Sequence, residues 1–114
     1  MDEPDDIQIS SETIGAAVVV RPVGDIDLSR SPVLRESIRS ALSDGPGRLV
    51  VDLAGVDYMD SSGVATLVEA MQLTKRGGHD LVLCSLTDRV RSIFEIARLE
   101  QVFRIEQDVD AALA

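Results

Sequence analysis

Asp60-Ser61-Ser62-Gly63 is the segment of this chain best equipped for chemistry. It stands where an apolar run, Leu49 to Leu53, passes through a short loop into a stretch of helical periodicity starting near Ser62. A hydroxyl there lies near a helix N-terminus, where free backbone N–H groups and the helix dipole favour negative charge. Two roles suit such a serine. It can belong to a helix cap, with Asp60 or Ser61 accepting from the first free N–H groups, or it can carry a phosphoryl group that is added and removed. Capping alone leaves Gly63 unexplained, because glycine at a helix start costs ~1 kcal/mol relative to alanine. A glycine there predicts the close approach of another backbone or of a nucleotide.

Other chemistries are poorly provided for. The pattern G-x-S-x-G is absent, since position 60 is Asp. The single histidine, His79, follows Gly77-Gly78 and reads as a surface turn residue, so a small hydrolase pairing Ser61 with His79 is disfavoured. There is no Walker A loop, no G-x-G-x-x-G and no His/Cys cluster at metal spacing. Asp52, Asp57 and Asp60 gather near the carboxyl end of one strand. Three carboxylates there suit Mg²⁺, but loop composition accounts for them adequately, and no metal or cofactor is expected.

The elements that must position Ser61 follow from patterning. The 114 residues, 45% hydrophobic and 27% charged, are those of one globular domain. Tyr58, Phe94 and Phe103 are the only aromatics, so the core must be built from Val, Leu, Ile and Ala. Ile7 to Ser10, a turn over Glu12–Gly15, and the run from Ala16 to Val23 predict a hairpin, with Pro22 at a strand end or edge. Ser31-Pro32 reads as an N-cap with proline at the first helical position; Leu34, Ile38, Ala41 and Leu42 follow, and residues 44–47 break the helix. Leu49–Leu53 and Leu81–Cys84 are continuous apolar runs of the kind covered on both faces. Between them, Val64, Leu67, Val68 and Met71 form a helical stripe ending at Lys75 and Gly77-Gly78. Glu69, Gln72, Lys75 and Arg76 lie on its exposed side. Thr87 can cap a helix carrying Val90, Ile93, Phe94 and Ala97; Val102–Ile105 is a last strand and Val109–Leu113 a last helical turn. The order β-β-α-β-α-β-α-β-α predicts an α/β fold with a mixed, mostly parallel sheet opened by an antiparallel hairpin.

The formal charge of −9 argues against nucleic acid and against an anionic membrane surface, and suits a basic protein partner or simple solubility. Cys84 lies inside an apolar run and reads as a core residue; a lone cysteine forms no internal disulfide, as suits a reducing compartment. Residues 1–6, Met-Asp-Glu-Pro-Asp-Asp, read as a disordered acidic tail, not a secretory signal, ahead of a domain over 7–114. No apolar run approaches the ~20 residues of a membrane span. A cytoplasmic monomer is the simplest expectation.

Residues 51–64, Val-Asp-Leu-Ala-Gly-Val-Asp-Tyr-Met-Asp-Ser-Ser-Gly-Val, closely resemble the signature of STAS domains of the anti-sigma factor antagonist (anti-anti-sigma) type. Gly24-Asp25-Ile26-Asp27 resembles that family's loop after the second strand, and Leu81–Cys84 and Val90–Glu95 match in kind and place. The resemblance covers nearly the whole chain after Ile7. One departure is Ala65, where many members have a second glycine. The resemblance implies that Ser61 is the phosphoacceptor and that the partner is a cognate anti-sigma factor, a serine kinase of GHKL type. Binding frees a sigma factor, phosphorylation of Ser61 dissociates the complex, and a PP2C-type phosphatase resets it. On that footing Asp60, Ser62 and Gly63 shape the acceptor loop. Asp25 and Asp27 either touch the kinase or serve turn and cap chemistry; both readings stay open. An alternative within the family is a non-switching adaptor, as in lipid-transport complexes or a stressosome.

Overall fold

The computed structural model describes residues 7–114, so the acidic tail expected over residues 1–6 lies outside the described residues. The described chain runs β1 (Gln8–Ile14), β2 (Ala17–Val23), α1 (Ser31–Ser43), β3 (Arg48–Asp52), α2 (Ser61–Arg76), β4 (Asp80–Cys84), α3 (Asp88–Ile96), a 3₁₀ turn (Leu99–Gln101), β5 (Arg104–Glu106) and α4 (Val109–Leu113). This is the expected element order. The strands lie in chain order, β1-β2-β3-β4-β5. β1 and β2 pair antiparallel; β2–β3, β3–β4 and β4–β5 pair parallel.

Alternation along the central strands sends side chains to two faces. Val18, Val20, Leu49, Val51, Leu81 and Leu83 share one buried cluster with Leu34 and Ile38 of α1, Leu67 and Ala70 of α2, and Val90 and Phe94 of α3. Val19, Val50, Val82 and Cys84 face the other way and meet Ala112 of α4. Burial on both faces is why β3 and β4 read as continuous apolar runs.

Five local expectations change. The hairpin turn is Gly15-Ala16, not Glu12–Gly15: Gly15 takes φ +61°, and β1 continues to Ile14 as an edge strand whose polar side chains face solvent. Ser31 is a buried first helical residue, not the cap of α1; Arg30 holds the cap position, and its side chain bonds Asp27 instead of capping the helix. The buried stripe of α2 is Gly63, Thr66, Leu67, Ala70 and Thr74, while Val64, Val68 and Met71 are half-buried. Small residues let α2 approach its neighbours closely, which hydrophobicity alone does not reveal. β5 begins at Arg104, leaving Val102 exposed and Phe103 packed 5.6 Å from Phe94. Glu69 is also not a free surface group: Arg35 and Arg39 of α1 hold it at 3.1 and 3.0 Å, bracing α1 against α2.

Candidate phosphoacceptor and partner-binding site

Because β2 and β3 are parallel neighbours, their following loops leave the same edge of the sheet. Backbone pairing continues past the strands. Gly24 N–H donates to Gly55 O at 3.0 Å, Ile26 N–H to Tyr58 O at 3.0 Å, and Asp60 N–H to Ile26 O at 3.1 Å. Ile26 and Met59 form a parallel bridge, and both are buried. The two loops are therefore one rigid platform, with an apolar spine beneath it.

Each loop ends in the same turn. Asp27 Oδ1 accepts from Ser29 N–H (3.1 Å), the Ser29 hydroxyl (2.8 Å) and Arg30 N–H (3.2 Å). Asp60 Oδ1 accepts from Ser62 N–H (2.9 Å), the Ser62 hydroxyl (2.5 Å) and Gly63 N–H (3.3 Å). Both are Asp-x-Ser turns in which the aspartate satisfies donors two and three residues ahead. Carried one residue past the Ile26–Met59 bridge, the register brings Asp27 abreast of Asp60. Leu28 and Ser61 are the next residues on each side, and both are exposed.

Asp60 is thus the N-cap of α2, which begins at Ser61. The two serines have different fates. Ser62 is half-buried with its hydroxyl committed to Asp60. Ser61 is exposed, and its hydroxyl makes no hydrogen bond among the described residues. Gly63 is buried: a Cβ there would come within 2.5 Å of Met59 Cγ, 2.8 Å of Ile26 Cγ2 and 3.1 Å of Ile26 O. The close approach that glycine permits is thus made by the neighbouring loop.

Electrostatics distinguish the acids. The Ser62 hydroxyl, then the Gly63 and Ser62 N–H groups, hold the Asp60 carboxyl below its usual range, against burial and the charge of Asp27. Asp27 is lowered chiefly by the Ser29 hydroxyl, with the Arg30 guanidinium and N–H groups adding to it. Arg30 Nη1 also donates to Asp27 Oδ2, so Asp27 serves turn chemistry and carries a counter-ion. Asp25 is exposed and without a hydrogen bond or ion pair among the described residues.

The carboxylates weighed for Mg²⁺ do not converge: Asp52 pairs with Arg21 Nε at 3.4 Å and accepts from Ala54 N–H, Asp60 caps α2, and Asp57 is exposed. Among the described residues no group of three or more His, Cys, Asp or Glu could hold an ion. Ser61 begins α2 and His79 lies beyond its other end; the 16 residues of the helix span ~24 Å, so the two form no catalytic pair. Sequence reading passed over Leu28 and Tyr58, which are 75% and 42% exposed on this platform. The repeated Asp-x-Ser spacing at 27–29 and 60–62 was the signal that could have found Leu28.

A model of the STAS domain matches residues 8–112. The chain belongs to the STAS domain family. This STAS domain is 25% identical over 104 residues to the anti-sigma-B factor antagonist of Staphylococcus aureus, an alignment covering 91% of this chain and 96% of that one. An anti-sigma factor antagonist from Mycobacterium paratuberculosis has the same fold at TM-score 0.84 and 28% identity, over 99% of this chain and 96% of that chain. The Bacillus protein SpoIIAA, an anti-sigma factor antagonist solved unphosphorylated and phosphorylated, matches at TM-score 0.70 in both forms. Identity is 18% and 20%, over 93% and 92% of this chain and 94% and 96% of that one. At that identity SpoIIAA speaks for the fold alone. Among the described residues no helix is long and apolar enough to cross a membrane.

Proposed function

We propose that this STAS domain is an anti-sigma factor antagonist switched by phosphorylation of Ser61. It binds a cognate anti-sigma factor, a GHKL-type serine kinase, and so frees a sigma factor. Transfer of the γ-phosphoryl group of ATP to Ser61 Oγ, with loss of the hydroxyl proton and release of ADP, ends the complex. A PP2C-type phosphatase hydrolyses the ester and restores it. The observation that carries this reading is the division between the serines: Ser61 offers a free, exposed hydroxyl, while that of Ser62 is bound to Asp60.

The surroundings support a switch that acts at the surface. Phosphorylation adds ≈ −1.5 to −2 charges at pH 7. The Ser62 and Gly63 N–H groups that would stabilise an anion at this helix start already bind Asp60. The phosphate therefore gains little from α2 and adds its charge beside Asp60 and Asp27. A penalty of ~3 kcal/mol at the interface weakens binding roughly 150-fold. That is enough to exchange partners without refolding.

Incubation with ATP and the GHKL-type kinases of the same cell, followed by mass mapping, tests the reading. Phosphate should appear on Ser61, vanish in Ser61→Ala and persist in Ser62→Ala. Ser61→Asp should keep the melting temperature and lose kinase binding by calorimetry. Failure of every such kinase to mark Ser61, or undiminished binding by Ser61→Asp, overturns it.

A further inference from the structure

We infer that Leu28, seconded by Tyr58, is the apolar anchor by which the kinase grips this domain, with Ser61 presented beside it. The inference rests on the reading above and adds what holds the partner. Leu28 occupies in the first Asp-x-Ser turn the position that Ser61 occupies in the second. Both turns display their second residue, and the Ile26–Met59 bridge sets the turns side by side. Leu28 is 75% exposed although Asp27 and Arg30 bond to each other across its turn, so its exposure belongs to an ordered backbone. Tyr58 is 42% exposed and directly precedes Met59 of that bridge, and Val33, 48% exposed, lies in the first turn of α1. Three large apolar side chains thus stand on one end of the domain, fixed before any partner arrives. Apolar groups ordered before docking lose little entropy when a partner covers them.

The occupant is a protein surface with an apolar hollow bordered by Lys or Arg. The exposed carboxylates Asp25 and Asp57 flank the anchors, in a chain of formal charge −9, and require a basic border opposite them. The division of labour follows. Leu28 and Tyr58 set the lifetime of the complex, Asp25 sets its rate of formation, and the phosphate on Ser61 ends it.

The test uses the kinase that marks Ser61. Leu28→Ser should raise its Kd about 30-fold and raise KM for Ser61 phosphorylation, with kcat unchanged. Tyr58→Ser should do the same more weakly. Asp25→Asn should slow association and flatten its salt dependence, with little change in dissociation. Ile96→Ser is the control, because Ile96 is 85% exposed at the far end of α3 and should leave binding untouched. Melting temperatures establish that each variant folds. A Leu28→Ser affinity within about twofold of the parent, or an equal loss in Ile96→Ser, overturns the inference. A parent that no kinase marks or binds removes the underlying reading as well; a marked parent with an indifferent Leu28→Ser removes the anchor alone.

Discussion

The turns Asp27-Leu28-Ser29-Arg30 and Asp60-Ser61-Ser62-Gly63 share a hydrogen-bond pattern and differ in what fills it. The fourth residue is the first difference. Arg30 places a cation against Asp27, whereas Gly63 gives Asp60 no counter-ion and leaves room for Ile26 and Met59. The second residue is the other: leucine in one turn, serine in the other. One backbone device therefore displays an apolar group beside a free hydroxyl, and the charge left unpaired is the one adjoining the hydroxyl. A turn type does not specify a function; the side chains at its second and fourth positions do.

The largest effect expected from altering these turns is at the fourth position. Gly63→Ala puts a methyl where Ile26 O lies 3.1 Å away and Met59 Cγ 2.5 Å away. Overpacking of this kind costs ~1–3 kcal/mol, and the better helix propensity of alanine returns ~1. A net loss of up to about 2 kcal/mol should appear in urea denaturation. Arg30→Ala, which removes a part-buried ion pair with Asp27, should cost less. Equal midpoints for the two variants would show that the platform spine yields.

Next comes the cap. Asp60→Ala should lose ~1 kcal/mol and Asp60→Asn only a few tenths, because asparagine keeps a capping oxygen. The pair also reads the charge. The Asp60 carboxyl is depressed by the Ser62 hydroxyl and the Gly63 and Ser62 N–H groups. A depressed folded-state pKa gives stability that is fully present above the unfolded value of ~3.9 and is lost as pH falls through the lower folded value. Asp60→Asn should therefore flatten the dependence of stability on pH below about pH 4, measured by denaturation at about pH 3 and about pH 6. An unaltered slope would assign the acid sensitivity to other carboxylates.

The smallest effect compares the serines that close the turns. Ser62→Ala and Ser29→Ala each remove one hydroxyl-to-carboxylate bond and should match within about 0.5 kcal/mol by thermal melting. A markedly larger loss at Ser62 would mean that the second turn depends on its helix in a way the first does not.

Much of this was legible in the residues. Alternating apolar runs and glycine breaks gave the order of the strands and α-helices among the described residues, though not the bounds of β1 and β5 or the 3₁₀ turn, and the continuous runs at Leu49–Leu53 and Leu81–Cys84 foretold burial on two faces. A cap was expected at Asp60 or Ser61, and Asp60 holds it. The rest depended on approach between segments far apart in the chain. Ser31 read as a cap because serine before proline is a helix-start pattern, yet Ser31 N–H already bonds Asp27 O, and the Val33 and Leu34 N–H groups bond Arg30 O, so the helix starts one residue earlier. Gly63 read as room for another backbone or a nucleotide, and the sequence does not say which; the backbone of Ile26, 37 positions earlier, is what comes close. Glu69 read as surface because its arginine partners belong to another helix.

The order of strands in the sheet repeats their order in the chain, so each new strand adds beside the one made just before it. Such pairings close short loops and do not wait for distant sequence. Both Asp-x-Ser turns, and the backbone bonds that join them, belong to the first three strands and the starts of the first two helices. A ribosome delivers that half of the domain first, and domains begin to fold from the end made first. The surface proposed to meet the partner is thus encoded in the part of the domain that precedes α3, β5 and α4.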